Sequence, residues 1–156
     1  MADGSQPLGS QYKTALVTGA ASGIGAAVAQ RLLSEGIKVY GSSRDPQTAS
    51  GAEGIQWLRM EGGSADGVDA FIKENRELLD RLDILINNAG SSRFGSLADS
   101  PEEALSWQLQ LLLETPMQLT KAVLPGMQSR GNGCILNVSS LAASFPLPFM
   151  AAYSAG

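Results

Sequence analysis

The chain has no histidine and one cysteine in 156 residues. Serine and cysteine nucleophiles activated by histidine are therefore excluded, as are metal sites built on imidazole. Cys134 stands alone, so no intrachain disulfide can form. At the head of an apolar run it is expected to act as a small core hydrophobe. An excess of positive charge is also missing. Eleven Lys and Arg against fifteen Asp and Glu give a net charge of −4, with no basic run. Neither a nucleic-acid footprint nor a membrane surface site is expected. Long hydrophobic runs are absent too. The stretch from Ile135 to Met150 is broken by Asn137, three serines and two prolines, too often for a bilayer span. Met1 to Tyr12 has no basic region followed by an apolar one, so it is not a signal peptide, and a cytoplasmic location is expected.

What the chain does have is a hydrophobic fraction of 44%, sufficient for one domain with a real core. Its organising stretch is Thr14-Ala15-Leu16-Val17-Thr18-Gly19-Ala20-Ala21-Ser22-Gly23-Ile24-Gly25. Ala15 to Val17 read as a buried strand. From Ile24 the apolar residues fall at Ile24, Val28, Ala29, Leu32 and Leu33, one face of a helix. A strand, a glycine-spaced turn and a helix form the setting in which a dinucleotide is held. Gly19 permits the sharp turn, Gly23 lets a pyrophosphate approach the backbone, and Gly25 lets helix and strand pack closely. The first amides of the helix then face an anion. No Gly-Lys-Ser/Thr follows, so this is not a nucleoside-triphosphate P-loop.

Beyond a flexible lead-in over residues 1–13, strands are expected at 37–41, 55–60, 82–87 and 134–138. Gly36 closes the first helix. Ser64 or Asp66 caps a second helix with Val68, Phe71, Ile72, Leu78 and Leu79 on its apolar side. Ser100, Pro101 and Glu103 fit the N-cap, first-turn and capping-box positions of a long third helix. Leu105, Leu109, Leu112 and Pro116 lie on one face of it, with Leu111 and Leu113 as a second apolar flank, and Pro116 should interrupt it. Strands alternating with helices predict an α/β domain over 14–156 with a doubly wound parallel sheet.

Asn87-Asn88-Ala89-Gly90 ends the fourth strand, where such sheets bind ligands. Ser139 and Ser140 follow the fifth strand, and Tyr153 comes thirteen residues after Ser140. Together, Thr18-Gly19-Ala20-Ala21-Ser22-Gly23-Ile24-Gly25, the Asn-Asn-Ala-Gly element and the Ser140–Tyr153 spacing resemble the short-chain dehydrogenase/reductase family over 14–156, the front part of that family's domain. The resemblance implies a Rossmann-like fold comprising strands 1–5 of the family's sheet, and an NAD(P)-dependent oxidoreductase acting on a small-molecule carbonyl or alcohol. It implies Tyr153 as the proton donor or acceptor and Ser140 as the holder of the substrate oxygen. Thr18, Gly19, Ser22, Gly23, Ile24, Gly25, Asn88, Ala89, Gly90 and Tyr153 would bind cofactor, and Glu61 would contact the adenine. The full-length form would be a homo-oligomer, and no metal is involved.

The chain departs from the family pattern at two points. Gly156 is the last residue, one short of the family's lysine. That lysine would lower the pKa of a phenol that otherwise titrates near ~10. Leu112 falls where the family has a relay asparagine. A 156-residue chain alone is therefore expected to be inactive, either as a piece of an enzyme or as a remnant nucleotide-binding chain. At the end of the second strand, Ser43 and Arg44 suit the 2′-phosphate of NADP, where an acidic residue would favour NAD.

Overall fold

In a computed structural model, residues 8–145 and 147–156 are described. Leu8–Gln11 form one helical turn, α1, within the segment read as a lead-in. Five strands follow: β1 (Thr14–Thr18), β2 (Lys38–Ser43), β3 (Gln56–Arg59), β4 (Ile84–Asn87) and β5 (Cys134–Asn137). All pair in parallel, in the order β3-β2-β1-β4-β5. The chain winds outward from β1 to β3, then returns to place β4 on the other side of β1. The crevice between the carboxyl ends of β1 and β4 is therefore the switch point of a doubly wound sheet.

The strand sequences explain the two cores. Side chains alternate along β1, so Leu16 points to one face and Ala15 and Val17 to the other. Leu16 and Leu85 pack with Phe71, Leu79, Leu119 and Val123. Those partners come from α3 (Ala65–Glu74), α4 (Arg76–Asp80) and α6 (Thr115–Arg130). Ala15, Val17, Val39, Ile84 and Ile86 pack with Ala29 and Leu32 of α2 (Gly23–Ser34). Each fully buried Leu or Ile side chain contributes about 1.5–3 kcal/mol.

Several local expectations need correction. The helix read over 64–79 is two helices, because Asn75 stops α3 and its Nδ2 donates to Phe71 O at 2.9 Å. Ser64, not Asp66, is the cap: its Oγ accepts from Gly67 N at 3.2 Å. The next helix, α5 (Glu102–Leu109), begins after Pro101 with no side-chain cap. The Ser100 hydroxyl donates to Ser96 O at 2.8 Å instead, so the capping box does not form. Cys134 is exposed at the head of β5, which lies at the edge of this sheet and pairs with β4 alone among the described residues.

The interruption expected at Pro116 takes a definite form. Gln110–Glu114 are a π turn between α5 and α6, and Pro116, which has no N–H to donate, follows it in the first turn of α6. The extra residue rotates the faces. Gln108, Gln110, Leu111 and Thr115 are buried, whereas Leu113 is 43% exposed. Gln110 Nε2 donates to Thr115 Oγ1 and Gln118 Oε1, each at 3.1 Å. Thr115 Oγ1 in turn donates to Gly62 O at 2.7 Å. No helix among the described residues is long and apolar enough to cross a membrane.

Candidate functional site

A cleft of about 760 Å³ opens at the carboxyl ends of β4 and β5. That is the size of a small-molecule or cofactor site. Its lining brings together Ile24, Asn88, Ala89, Gly90, Leu112, Ser140 and Tyr153. Thr18, Gly19, Ser22, Gly23 and Gly25 form the turn beside it rather than the lining. Ser43, Arg44 and Glu61 lie outside the lining, at and beyond the ends of β2 and β3.

The glycine turn is built by exclusion. Gly19 has φ +66, and a Cβ there would lie 3.0 Å from Ala89 Cα. A Cβ on Gly25 would lie 2.3 Å from Gly19 O, so α2 abuts the turn directly. Gly23, at φ +54, has no heavy atom within 4 Å of its absent side chain. Ser22 is the N-cap of α2, yet its side chain makes no cap hydrogen bond, leaving first-turn amides turned outward. Ile24 is 61% exposed at this turn and not on the buried face its periodicity suggested.

Two side chains lock the turn to β4. Thr18 Oγ1 accepts from Asn88 N and Ala89 N, both at 2.9 Å, and donates to Ile86 O at 3.3 Å. Asn88 Nδ2 donates to Thr18 O at 2.9 Å and to Gly19 O at 3.3 Å. Asn87 Nδ2 donates to Asn137 Oδ1 at 2.8 Å, while Asn87 Oδ1 is buried with no partner among the described residues. Because Asn87 lines the cleft, that acceptor marks a place for a donor from solvent or ligand. The residues present thus fit a dinucleotide: an open backbone cradle, an uncapped helix start and an unsatisfied acceptor.

On the reactive side, Ser140 is exposed, and its Oγ accepts from Ala142 N at 3.2 Å. Its hydroxyl proton remains available. Tyr153 is half-buried in α7 (Ala151–Ala155). The approach to α7 is strained: Phe149 has φ +64, which disfavours a bulky side chain, and its carbonyl accepts from Gly95 N at 3.0 Å. That bond ties the loop after β4 to the segment carrying Tyr153. Leu112 packs where a Cβ on Gly156 would lie 2.6 Å from its own Cβ. The π turn therefore sets an apolar side chain beside α7.

At the end of β2, Ser43 Oγ donates to Asp45 O at 3.1 Å and accepts from Asp45 N at 3.2 Å. Hydrogen bonds from the Thr48 hydroxyl and the Gln47 amide hold the Asp45 carboxyl below its ordinary pKa. Arg44 is exposed, with no hydrogen bond or ion pair among the described residues. Glu61 is exposed as well. Sequence reasoning missed Gln108, whose Nε2 donates to Ser91 O at 3.2 Å and steadies the cleft's rim. Its leucine-rich surroundings gave no signal that a glutamine would be buried.

A parallel sheet wound 3-2-1-4-5, with a glycine cradle at its switch point, defines a dinucleotide-binding α/β domain. A family profile described as short chain dehydrogenase matches residues 13–156, and the chain belongs to that family. It is 41% identical over 153 residues to bovine Dehydrogenase/reductase SDR family member 4, covering 91% of this chain and 54% of that protein. It is 34% identical over 145 residues to the 3-ketodihydrosphingosine reductase of Bacteroides thetaiotaomicron, covering 93% and 53%. A metagenomic short-chain oxidoreductase solved in complex with NADP superposes with a TM-score of 0.82 at 30% identity, covering 93% of this chain and 69% of that one. The chain spans about half the length of the curated relatives it matches.

Proposed function

We propose that this chain forms the cofactor-binding and proton-transfer half of an NADP-dependent oxidoreductase acting on a carbonyl or alcohol. The observation that carries this reading is the single cleft lining shared by Asn88, Ala89, Gly90, Ser140 and Tyr153. A bound nicotinamide supplies or takes up the hydride. Gly19, Gly23 and Gly25, with the first amides of α2, hold the pyrophosphate. Asn88 to Gly90 flank the ribose, and Glu61 borders the adenine. Arg44, without a partner, meets the 2′-phosphate; a carboxylate at the end of β2 would instead repel it. Asp45 does not play that part, because its carboxylate is engaged by Thr48 and Gln47. The Ser140 hydroxyl donates to the substrate oxygen. The Tyr153 phenol exchanges a proton with that oxygen, and a nearby cation makes this exchange efficient at neutral pH.

A second reading, a nucleotide-binding chain without turnover, is favoured by Leu112. An alkyl side chain in the π turn carries no proton from Tyr153 to solvent. This reading expects nucleotide binding with near-background activity.

The deciding experiment is a titration with NADPH and NADH by nicotinamide fluorescence, followed by steady-state NADPH oxidation with a ketone panel. Binding of NADPH over NADH by at least tenfold supports the cofactor assignment, and equal affinities overturn it. Turnover that vanishes in Tyr153→Phe while binding persists supports the enzyme. Binding without turnover in a form spanning the relatives' full length supports the second reading. The same form is proposed to self-associate through the α5–α6 helix bearing Leu113. A monodisperse monomer at micromolar concentration in sedimentation would refute that assembly.

A further inference from the structure

One cation near this site has no role in the reading above. Arg59 ends β3 and is the register partner of Ser43, the last residue of β2. Adjacent strands lie about 4.8 Å apart, so Arg59 stands one strand spacing from the segment that carries Arg44. Backbone pairing fixes its position, because the ladder continues with Met60 N donating to Ser43 O at 2.9 Å. Alternation fixes its face. Leu58 and Met60 pack toward the core under α3 and α6, and Trp57 toward the core under α2. Arg59 shares the face of Trp57, the side of the sheet on which α2 and its glycine turn lie.

Arg59 is exposed and makes no hydrogen bond or ion pair among the described residues. Its positive field reaches Asp45 and adds to the hydrogen bonds that lower the pKa of that group. The Asp45 oxygens are already taken by Thr48 Oγ1 at 2.8 Å and Gln47 N at 3.1 Å. In a chain of net charge −4, two unpartnered guanidinium groups flank the end of one strand. A phosphate monoester brings up to two negative charges and three acceptor oxygens, more than one guanidinium can satisfy.

We infer that Arg59 is a second specificity-determining residue for a 2′-phosphate, acting with Arg44 across the β2–β3 pair. The inference rests on the cofactor reading above. Arg44 reaches the phosphate from the loop after β2, and Arg59 reaches it from the neighbouring strand. A cofactor lacking the 2′-phosphate engages neither group.

The test is calorimetric binding of adenosine 2′,5′-bisphosphate and of AMP, two ligands that differ only in that phosphate. Arg59→Gln should weaken the bisphosphate about tenfold, leave AMP within twofold, and flatten the salt dependence of bisphosphate binding. Arg44→Gln should do the same. Arg59→Lys keeps the charge on the edge strand and should lose less than about threefold. If Arg44→Gln weakens the bisphosphate and Arg59→Gln does not, the inference fails while the cofactor reading stands. If the unmutated chain binds both ligands equally, both fail. Equal weakening of both ligands by Arg59→Gln places its effect on the adenosine or the strand and also overturns the inference.

Discussion

Replacing Gly25 with alanine tests the central contact of the fold. The new Cβ would sit 2.3 Å from Gly19 O and 2.4 Å from Asn88 Nδ2. An ordinary contact needs roughly 3.5 Å, so α2 must retreat by about 1 Å or the turn must yield. Gly19 O is backbone, and the Asn88 side-chain amide is held in place by its bonds to Thr18 O and Gly19 O. Overpacking of this kind costs about 1–3 kcal/mol. Displacing Asn88 also weakens its hydrogen bonds to Thr18 O and Gly19 O, at about 1 kcal/mol each. The sum is ~3–5 kcal/mol, which for a domain of this size lowers the melting temperature by about 6–20 °C. Gly23→Ala is the matched control. Nothing lies within 4 Å of its Cβ, so the cost is limited to φ +54, about 1–2 kcal/mol. Its methyl group, however, occupies the space a phosphate would use. Thermal denaturation should therefore rank Gly25→Ala as the less stable variant, while NADPH titration should show Gly23→Ala losing affinity out of proportion to its stability. A melting temperature for Gly25→Ala within about 2 °C of the unmutated chain would refute the packing argument.

Thr18→Val leaves the Asn88 and Ala89 amides without their acceptor and should destabilise the chain by about 2–4 kcal/mol in urea, with Thr18→Ser recovering most of the loss. Thr115→Val cuts the link from Gly62 to Gln110 and should cost about 1–3 kcal/mol; an unchanged urea midpoint would show that the π turn does not depend on it. The depressed pKa of Asp45 stabilises the 45–48 turn fully above 3.8, and that contribution is lost as pH falls through the lower folded value. The Gln47 amide shift in an NMR titration should report a midpoint below 3.8 and lose it in Asp45→Asn; a midpoint at or above 3.8 would contradict the hydrogen bonds described.

The sequence was most legible where one local rule had no competitor. β1 and β4 are short apolar runs buried on both faces, and the glycine spacing between β1 and α2 reports directly on steric room. The Asn-Asn-Ala-Gly element and the Ser140–Tyr153 spacing located the cleft lining because each follows a strand end. Tertiary contacts decided the rest. Ser100 looked like a cap, but Ser96 O took its hydroxyl. Cys134 belonged to an apolar run, but a strand at the sheet edge has only one neighbour to bury it. Leu112 and Leu113 were assigned by a period of 3.6 that the π turn breaks, and Gln108 and Gln110 were buried by partners that no local pattern announces.

The π turn also divides the helix into two separately keyed halves. Each residue of an α-helix advances the side chains by about 100°, so one extra residue resets the phase of everything after it. The first half is keyed to the rim by Gln108 on Ser91 O, and the second to the turn after β3 by Thr115 on Gly62 O. Removing a single residue between these anchors would leave both halves helical but turn one against the other, so that either Leu119 and Val123 leave the core or Gln108 leaves the rim. A substitution at Leu112, by contrast, changes what the bulge presents to the cleft, to Gly90 and to the end of α7. The cleft wall can therefore vary at that position while the register of the core beneath it stays fixed.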